Sequence, residues 1–398
     1  MIYLLVFILL LIPVIKYDWM AKSGGENKWY YLNLVVLILL AGLRYRLGGD
    51  TLMYMSMYNE WPAMDELEYF DFEEALYNPL WYVYASVAKS LSGEFWVLQI
   101  IQSVIVNSVF FWFFKKYSPQ YYFSVILLYY IGFYCYFNME IMREALCICV
   151  LLLITGFLLE KRWLFYYLGC IVAISIHFSA VIMLFFPLGK LLFKKPSFIM
   201  QIIILLSILA LTTVVNIPVL ILQLLSVNET ITILAEKYLD DQRSIMGMLF
   251  QMLQYLPLLG MMFIRSRFKD IYSNVYVDFT FIVSLAVAPY ALSMPYEGFS
   301  RLINYFVPFI LIFTVHTAYY FVTKLKLRDF QVSSVVVLLS LMLVFYNYSY
   351  YYLKDTSKVY PNTRFGIRYY PYSSILNPEI NNARENYIEN DRDVIIAF

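Results

Sequence analysis

Four short stretches carry the residue types that could do chemistry in an otherwise apolar chain of 398 residues. The densest is Gly42-Leu-Arg-Tyr-Arg-Leu-Gly-Gly-Asp-Thr-Leu-Met-Tyr54. There Arg44 and Arg46 precede a Gly-Gly turn, and Asp50, Thr51 and Tyr54 follow it. Arginine's planar fork is always charged and grips phosphate oxygens in pairs, so this stretch suits a phosphate ligand. Asp50 beside two arginines suits a base or a ligand for a sugar hydroxyl; with Thr51 it also suits a cap on the next helix. The second stretch, Asn138-Met-Glu-Ile-Met-Arg-Glu-Ala-Leu146, sets Arg143 at the mouth of an apolar helix. The third, Tyr296-Glu-Gly-Phe-Ser-Arg-Leu-Ile-Asn-Tyr305, sets Arg301 among aromatics. Their plain alternatives are snorkelling to headgroups or pairing with Glu144 and Glu297. The fourth is Ile174-Ser-Ile-His-Phe-Ser-Ala180, where His177 stands between Ser175 and Ser179 as a general base, a donor to a sugar, or a structural histidine. His316, deep in its helix, reads as structural. No metal and no cofactor is expected: there are two histidines, four cysteines without zinc or disulfide spacing, and no Gly-rich phosphate cradle.

The elements that must hold these residues are transmembrane helices. The chain is 62% hydrophobic and 14% charged, whereas a soluble domain carries about 25% charged residues. Apolar runs at 1–15, 29–43, 95–114, 119–137, 144–159, 197–216, 248–264, 275–293, 302–322 and 330–348 read as spans. Residues 79–93 are too short to span, and 163–193 reads as a tight hairpin turning near His177. With those two choices the basic clusters from Lys16 to Arg328 fall on one side, the cytoplasmic one. The result is an all-α polytopic membrane protein of about 12 helices with both termini outside. Residues 1–15 read as a retained first helix rather than a signal peptide. Residues 1–348 form the membrane domain, with external loops 44–78 and 217–247, and 349–398 form an external tail. Arg44, Arg46, Asp50, Arg143, His177 and Arg301 then all lie at the outer boundary. A net charge of +1 indicates no nucleic-acid partner. Aromatics make up 20% of the chain; they serve interfacial belts, or stack on sugar rings, with Tyr360, Tyr369, Tyr370 and Tyr372 of the tail as candidates.

Arg44-Tyr-Arg-Leu-Gly-Gly-Asp-Thr-Leu-Met-Tyr54 resembles the Arg-Tyr…Gly-x-Asp-Thr-x-x-Tyr signature of the EpsG family, the Wzy-like polymerases of exopolysaccharide and O-antigen synthesis. Tyr77-Asn-Pro-Leu-Trp-Tyr82, Asn138–Leu146, Ser175–Ala180 and Tyr370-Pro-Tyr-Ser-Ser-Ile375 resemble four further segments of that family, in order. Asn78 departs from it, standing where a glutamate is expected. The resemblance implies a GT-C-like polymerase/ligase architecture and a multi-pass protein of the bacterial inner membrane. It also implies a glycosyltransferase working on the periplasmic face. Donor and acceptor would be oligosaccharides on undecaprenyl pyrophosphate, with a flippase and a chain-length regulator as partners. Arg143, Arg301 and Arg44 or Arg46 would stabilise the pyrophosphate leaving group, and His177 or Asp50 would take the acceptor's proton. Thr51, Tyr54 and Tyr372 would help bind substrate. A lipid-linked oligosaccharide flippase and an O-antigen ligase are the rival readings. A flippase calls for charged residues along many helices, and a ligase for one very large external loop.

Overall fold

The computed structural model describes residues 1–67, 78–193, 198–215, 245–267, 278–324 and 365–396. The expected span 330–348, nearly all of the loop 217–247, residues 68–77 and residues 349–364 of the tail, with Tyr360, lie outside them. The described residues are helical, with no strand among them. Four of the described helices are long and apolar enough to cross a membrane: Ile2–Trp19, Phe95–Tyr117, Met142–Leu159 and Ser300–Tyr320. Shorter apolar helices occupy Tyr122–Gly132, Trp163–Ile176, Phe178–Leu192, Phe198–Thr212 and Thr280–Ser293.

The chain divides into two compact units, Met1–Val181 with Leu327–Phe398, and Ile182–Lys326. In the first, α1 (Ile2–Pro13) packs on α6 (Tyr122–Gly132), and α2 (Glu26–Gly42) on α5 (Phe95–Tyr117). In turn α5 packs on α8 (Met142–Leu159), and α8 on α9 (Trp163–Ile176). Between them come α3 (Thr51–Glu60), α4 (Pro79–Leu91) and α7 (Tyr134–Met139). The expected span 119–137 is interrupted at Phe133, which leaves the helical region at φ −138° just after Gly132, and it ends in the six-residue α7. Residues 79–91 do fold as a helix, α4, but its 13 residues rise only about 20 Å, short of the roughly 30 Å hydrocarbon layer. The run 163–193 breaks at its expected turn: α9 stops at His177 (φ −156°, ψ 130°), and a 3-10 helix, Phe178–Phe185, follows.

Lipid tails are as apolar as leucine, so burial alone gives membrane helices little reason to prefer one another. Polar cross-links and small residues must set the register. Here α5 supplies them from one buried face. Gln99 Nε2 donates to the Arg44 carbonyl at 3.0 Å and Gln102 Nε2 to the Met142 carbonyl at 2.9 Å. Ser103 Oγ donates to the Ile38 carbonyl at 2.8 Å, and Asn107 Nδ2 to Asn138 Oδ1 at 2.8 Å. Glycines let the backbones approach. A Cβ on Gly42 would lie 3.2 Å from Ile100 of α5, and one on Gly169 of α9 would lie 2.6 Å from Ile154 of α8.

In the second unit the helix Phe198–Val214 packs on Val287–Ser293, and Ile245–Arg267 on Val307–Lys324. The Tyr255 and Tyr290 rings lie 4.6 Å apart there, and Arg265 pairs with Asp278 at 3.4 Å.

Candidate functional site

The site of the first unit begins where α2 ends. Beyond Gly42 the chain cannot continue as a helix and leaves carbonyls without helical partners. Arg44 folds back to take them: Nη1 donates to the Ala41 carbonyl at 2.7 Å and Nε to the Leu47 carbonyl at 3.3 Å. The side chain is fully buried, and that burial pushes its guanidinium down to about 10. Arg46, at φ +54°, reaches the other way and forms a two-pronged pair with Glu385, using Nε and, at 2.9 Å, Nη2. The hydrogen bond that Arg46 donates to Glu385 raises the Arg46 pKa. The Gly48-Gly49 turn follows. Thr51 directs its hydroxyl at the carbonyls of Leu47 and Met139, the latter at 3.2 Å. Asp50 occupies the N-cap position of α3, yet its carboxylate makes no capping hydrogen bond. It interacts electrostatically with Tyr54 and Arg143 instead.

The break between α7 and α8 supplies the opposite wall. Glu140 lies in the break and Arg143 opens the first turn of α8. The half-buried Arg143 guanidinium sits over the Tyr54 ring, 5.8 Å from its centroid. Its Nε is enclosed and makes no hydrogen bond among the described residues. Arg44 and Arg46 contrast with it in having their Nε donors committed to protein acceptors, while the rest of the Arg143 guanidinium engages Tyr54. Behind Arg143 stands an aromatic cluster of Tyr54, Trp81, Tyr82, Met142 and Leu146, with Ile176 packed against it. The Tyr54 and Trp81 rings are 5.6 Å apart. Ile176 precedes His177, so the histidine segment joins the same cluster from α9.

His177 is half-buried. Its Nδ1 accepts the Ser179 N–H at 3.2 Å and lies 2.7 Å from Ser179 Oγ. A ring nitrogen that accepts a backbone N–H keeps its lone pair there, which assigns the proton of the neutral ring to Nε2. His177 thereby presents a donor. Tyr372 donates its hydroxyl to the Leu40 carbonyl at 3.0 Å, and burial pushes its pKa up to about 12. Tyr370 is exposed, while Tyr369 is buried and donates to Glu140. Arg301 belongs to the second unit, where it is exposed on the short helix Ser300–Ile303.

The structure therefore brings together Arg44, Arg46, Asp50, Thr51, Tyr54, Arg143, His177 and Tyr372 in one unit. It adds residues that sequence reasoning passed over: Glu140, Arg368, Glu385 and the polar face of α5. Glu140 lay inside a quoted stretch, and the spacing of Gln99, Gln102, Ser103 and Asn107 along an apolar helix was a readable signal. Residues 365–396, expected as an external tail, are docked. The Tyr45 N–H donates to the Ser373 carbonyl at 2.9 Å, Gly48 N–H to Arg368 at 3.0 Å, and Ile375 N–H to Leu43 at 2.9 Å. Tyr387 and Ile388 pack on Leu52. The Arg46–Glu385 pair is partly solvated, its side chains 25% and 17% exposed. Arg46→Met is accordingly expected to cost only about 1 kcal/mol. The check is the melting temperature of the purified protein, with a difference from wild type that narrows in high salt.

Comparison with curated proteins and with solved structures returned no match. The EpsG family matches over residues 27–374, which takes in the Arg44–Tyr54 stretch, α4, the α7–α8 break, the His177 segment and the beginning of the docked segment, up to Ser374. With that match running along most of its length, this chain belongs to the EpsG family, a Wzy-like polymerase family.

Proposed function

We propose that this chain polymerises lipid-linked repeat units. It transfers a growing glycan from undecaprenyl pyrophosphate to the non-reducing end of another undecaprenyl-linked unit, on the outer face of the bacterial cytoplasmic membrane. The distribution of basic clusters, read as twelve spans with both termini outside, supports that face; a flippase and a chain-length regulator serve the site there. The observation that carries the reading is Arg143, whose enclosed Nε is uncommitted while Asp50 and Tyr54 stand beside it.

In the reaction the bond between the anomeric carbon and the pyrophosphate oxygen breaks, and a bond to the acceptor's hydroxyl oxygen forms. Arg143 neutralises charge as it builds on the departing pyrophosphate. Preorganised donors of this kind give the largest single contribution in many transfer enzymes. Asp50 takes the acceptor's proton. His177, with its proton on Nε2, donates a hydrogen bond to sugar or phosphate. Arg44 and Arg46 hold the loop that presents Asp50, and Thr51, Tyr54 and Tyr372 shape the pocket.

The test is a gel of surface polysaccharide from cells lacking the gene, with and without a wild-type copy. Deletion is expected to leave single repeat units on the lipid carrier, and the wild-type copy to restore a ladder. Long chains persisting without the gene would refute the assignment. Repeat units trapped on the cytoplasmic face would favour a flippase, and ladders that form but never reach their final attachment would favour a ligase.

A further inference from the structure

We infer that residues 365–388 are a clamp on this site and that Glu140 is its pivot, a positioning residue for Asp50 and Arg143; the inference rests on the placing of those two residues at the reacting centre. Glu140 is 4% exposed. Its Oε1 accepts the Gly49 N–H at 3.1 Å and the Tyr369 hydroxyl at 2.6 Å, and its Oε2 faces Arg368 Nη1 at 3.4 Å. Three stretches meet at Glu140, two of them at its carboxylate and one along its own backbone. One is the turn leading into Asp50. Another is the start of α8, where the Met142 N–H donates to the Glu140 carbonyl at 2.9 Å just ahead of Arg143. The third is the clamp itself. The Arg368 guanidinium presses on the turn so closely that a Cβ at Gly49 would lie 2.7 Å from Nη1.

The carboxylate oxygens are occupied by protein donors, which suits a role exerted through other residues rather than on substrate. A buried carboxylate that accepts several donors also binds them more strongly than a neutral group would. Removing its charge takes the carboxylate away from the Arg368 cation in a setting of low dielectric, where breaking one partner of a buried pair is severe. Glu140→Gln keeps the shape and one acceptor oxygen, but it puts an NH2 group where a carboxylate oxygen faced a cation. Turn and clamp then lose their common anchor, and Asp50 and Arg143 lose their mutual register.

Two measurements on the full chain in lipid nanodiscs test this. Hydrogen exchange of Glu140→Gln should quicken about tenfold or more at Gly48, Gly49 and residues 366–375, while the interior amides of α5 and α8 keep their protection. With lipid-linked repeat units as substrate, kcat should fall at least about tenfold with KM within about twofold, because misplacing catalytic groups costs rate more than binding. Glu140→Asp should recover part of that loss. Unchanged exchange at Gly48 and Gly49 would overturn the clamp, and quickening throughout α5 and α8 would reduce Glu140 to a residue of general stability. Should the wild-type chain transfer no glycan, the functional reading falls, and the exchange measurement still decides the clamp on its own.

Discussion

Arg143→Ala should lower the rate of glycan transfer by about 100- to 1,000-fold, the usual loss when one preorganised donor to a developing anion is removed. The protein should stay folded, because the guanidinium is half-buried and its Nε serves no protein acceptor. The stability it contributes comes from Tyr54, through its place over the ring and a side-chain hydrogen bond, together roughly 1–2 kcal/mol. Arg143→Lys keeps the charge and loses the fork, so an intermediate rate is expected. His177→Ala should cost less, about tenfold, the value of one hydrogen bond to substrate. This ordering follows from the proposed leaving group: a pyrophosphate departs readily, so charge stabilisation would govern the barrier more than proton transfer does. Transfer assays with purified protein and lipid-linked repeat units measure all three. Arg143→Ala turning over as fast as wild type would remove this residue from the site, and a larger deficit in His177→Ala would overturn the ordering.

Gly48→Ala should be the most disruptive single methyl group in the first unit. Gly48 stands at φ +106°, a conformation L residues rarely adopt, and a Cβ there would lie 2.0 Å from the Met139 carbonyl oxygen. That oxygen is backbone and also receives the Thr51 hydroxyl, so it cannot move aside without unseating the α7–α8 break. Backbone strain and overpacking each cost about 1–3 kcal/mol, giving a loss of roughly 3 kcal/mol or more. Gly24→Ala is the internal control. Gly24 has a similar φ of +92° but open space around it, so only the strain remains, about 1 kcal/mol. Thermal unfolding of the two variants in detergent separates the contributions. Equal shifts would mean that the close approach of the turn to Met139 is not a feature of the folded protein.

The helices were legible because a bilayer imposes a strong constraint, satisfied only by long apolar runs. Expected span 95–114 became α5, 144–159 became α8, and 29–43 became α2 with an early start at Glu26. The interruption at Phe133 was not legible, since hydropathy is blind to where a run of apolar residues stops being helical. The stretches that carry Asp50, Arg143 and His177 were also legible, from polar residues that an apolar chain would otherwise exclude. Their division of labour was not. Arg44 and Arg46 look alike in sequence, yet one caps α2 while the other grips Glu385, 339 residues away. Partners at such separations leave no local pattern. Glu140 shows the same gap, because its importance comes from Gly49, Arg368 and Tyr369, none of them its neighbours in sequence.

The docking of residues 365–388 onto the loop after α2 also sets a schedule for biogenesis. Arg46 emerges from the ribosome 339 residues before its partner Glu385. At about 5–20 residues per second, that is roughly 17–70 seconds of translation. Throughout that interval α2, α5 and α8 can already be inserted and packed while the loop bearing Asp50 waits unfastened. A nascent chain therefore passes through the membrane without a finished site. The turn is fastened only once residues 365–388 dock, so a product terminated ahead of them can occupy the bilayer without a finished site.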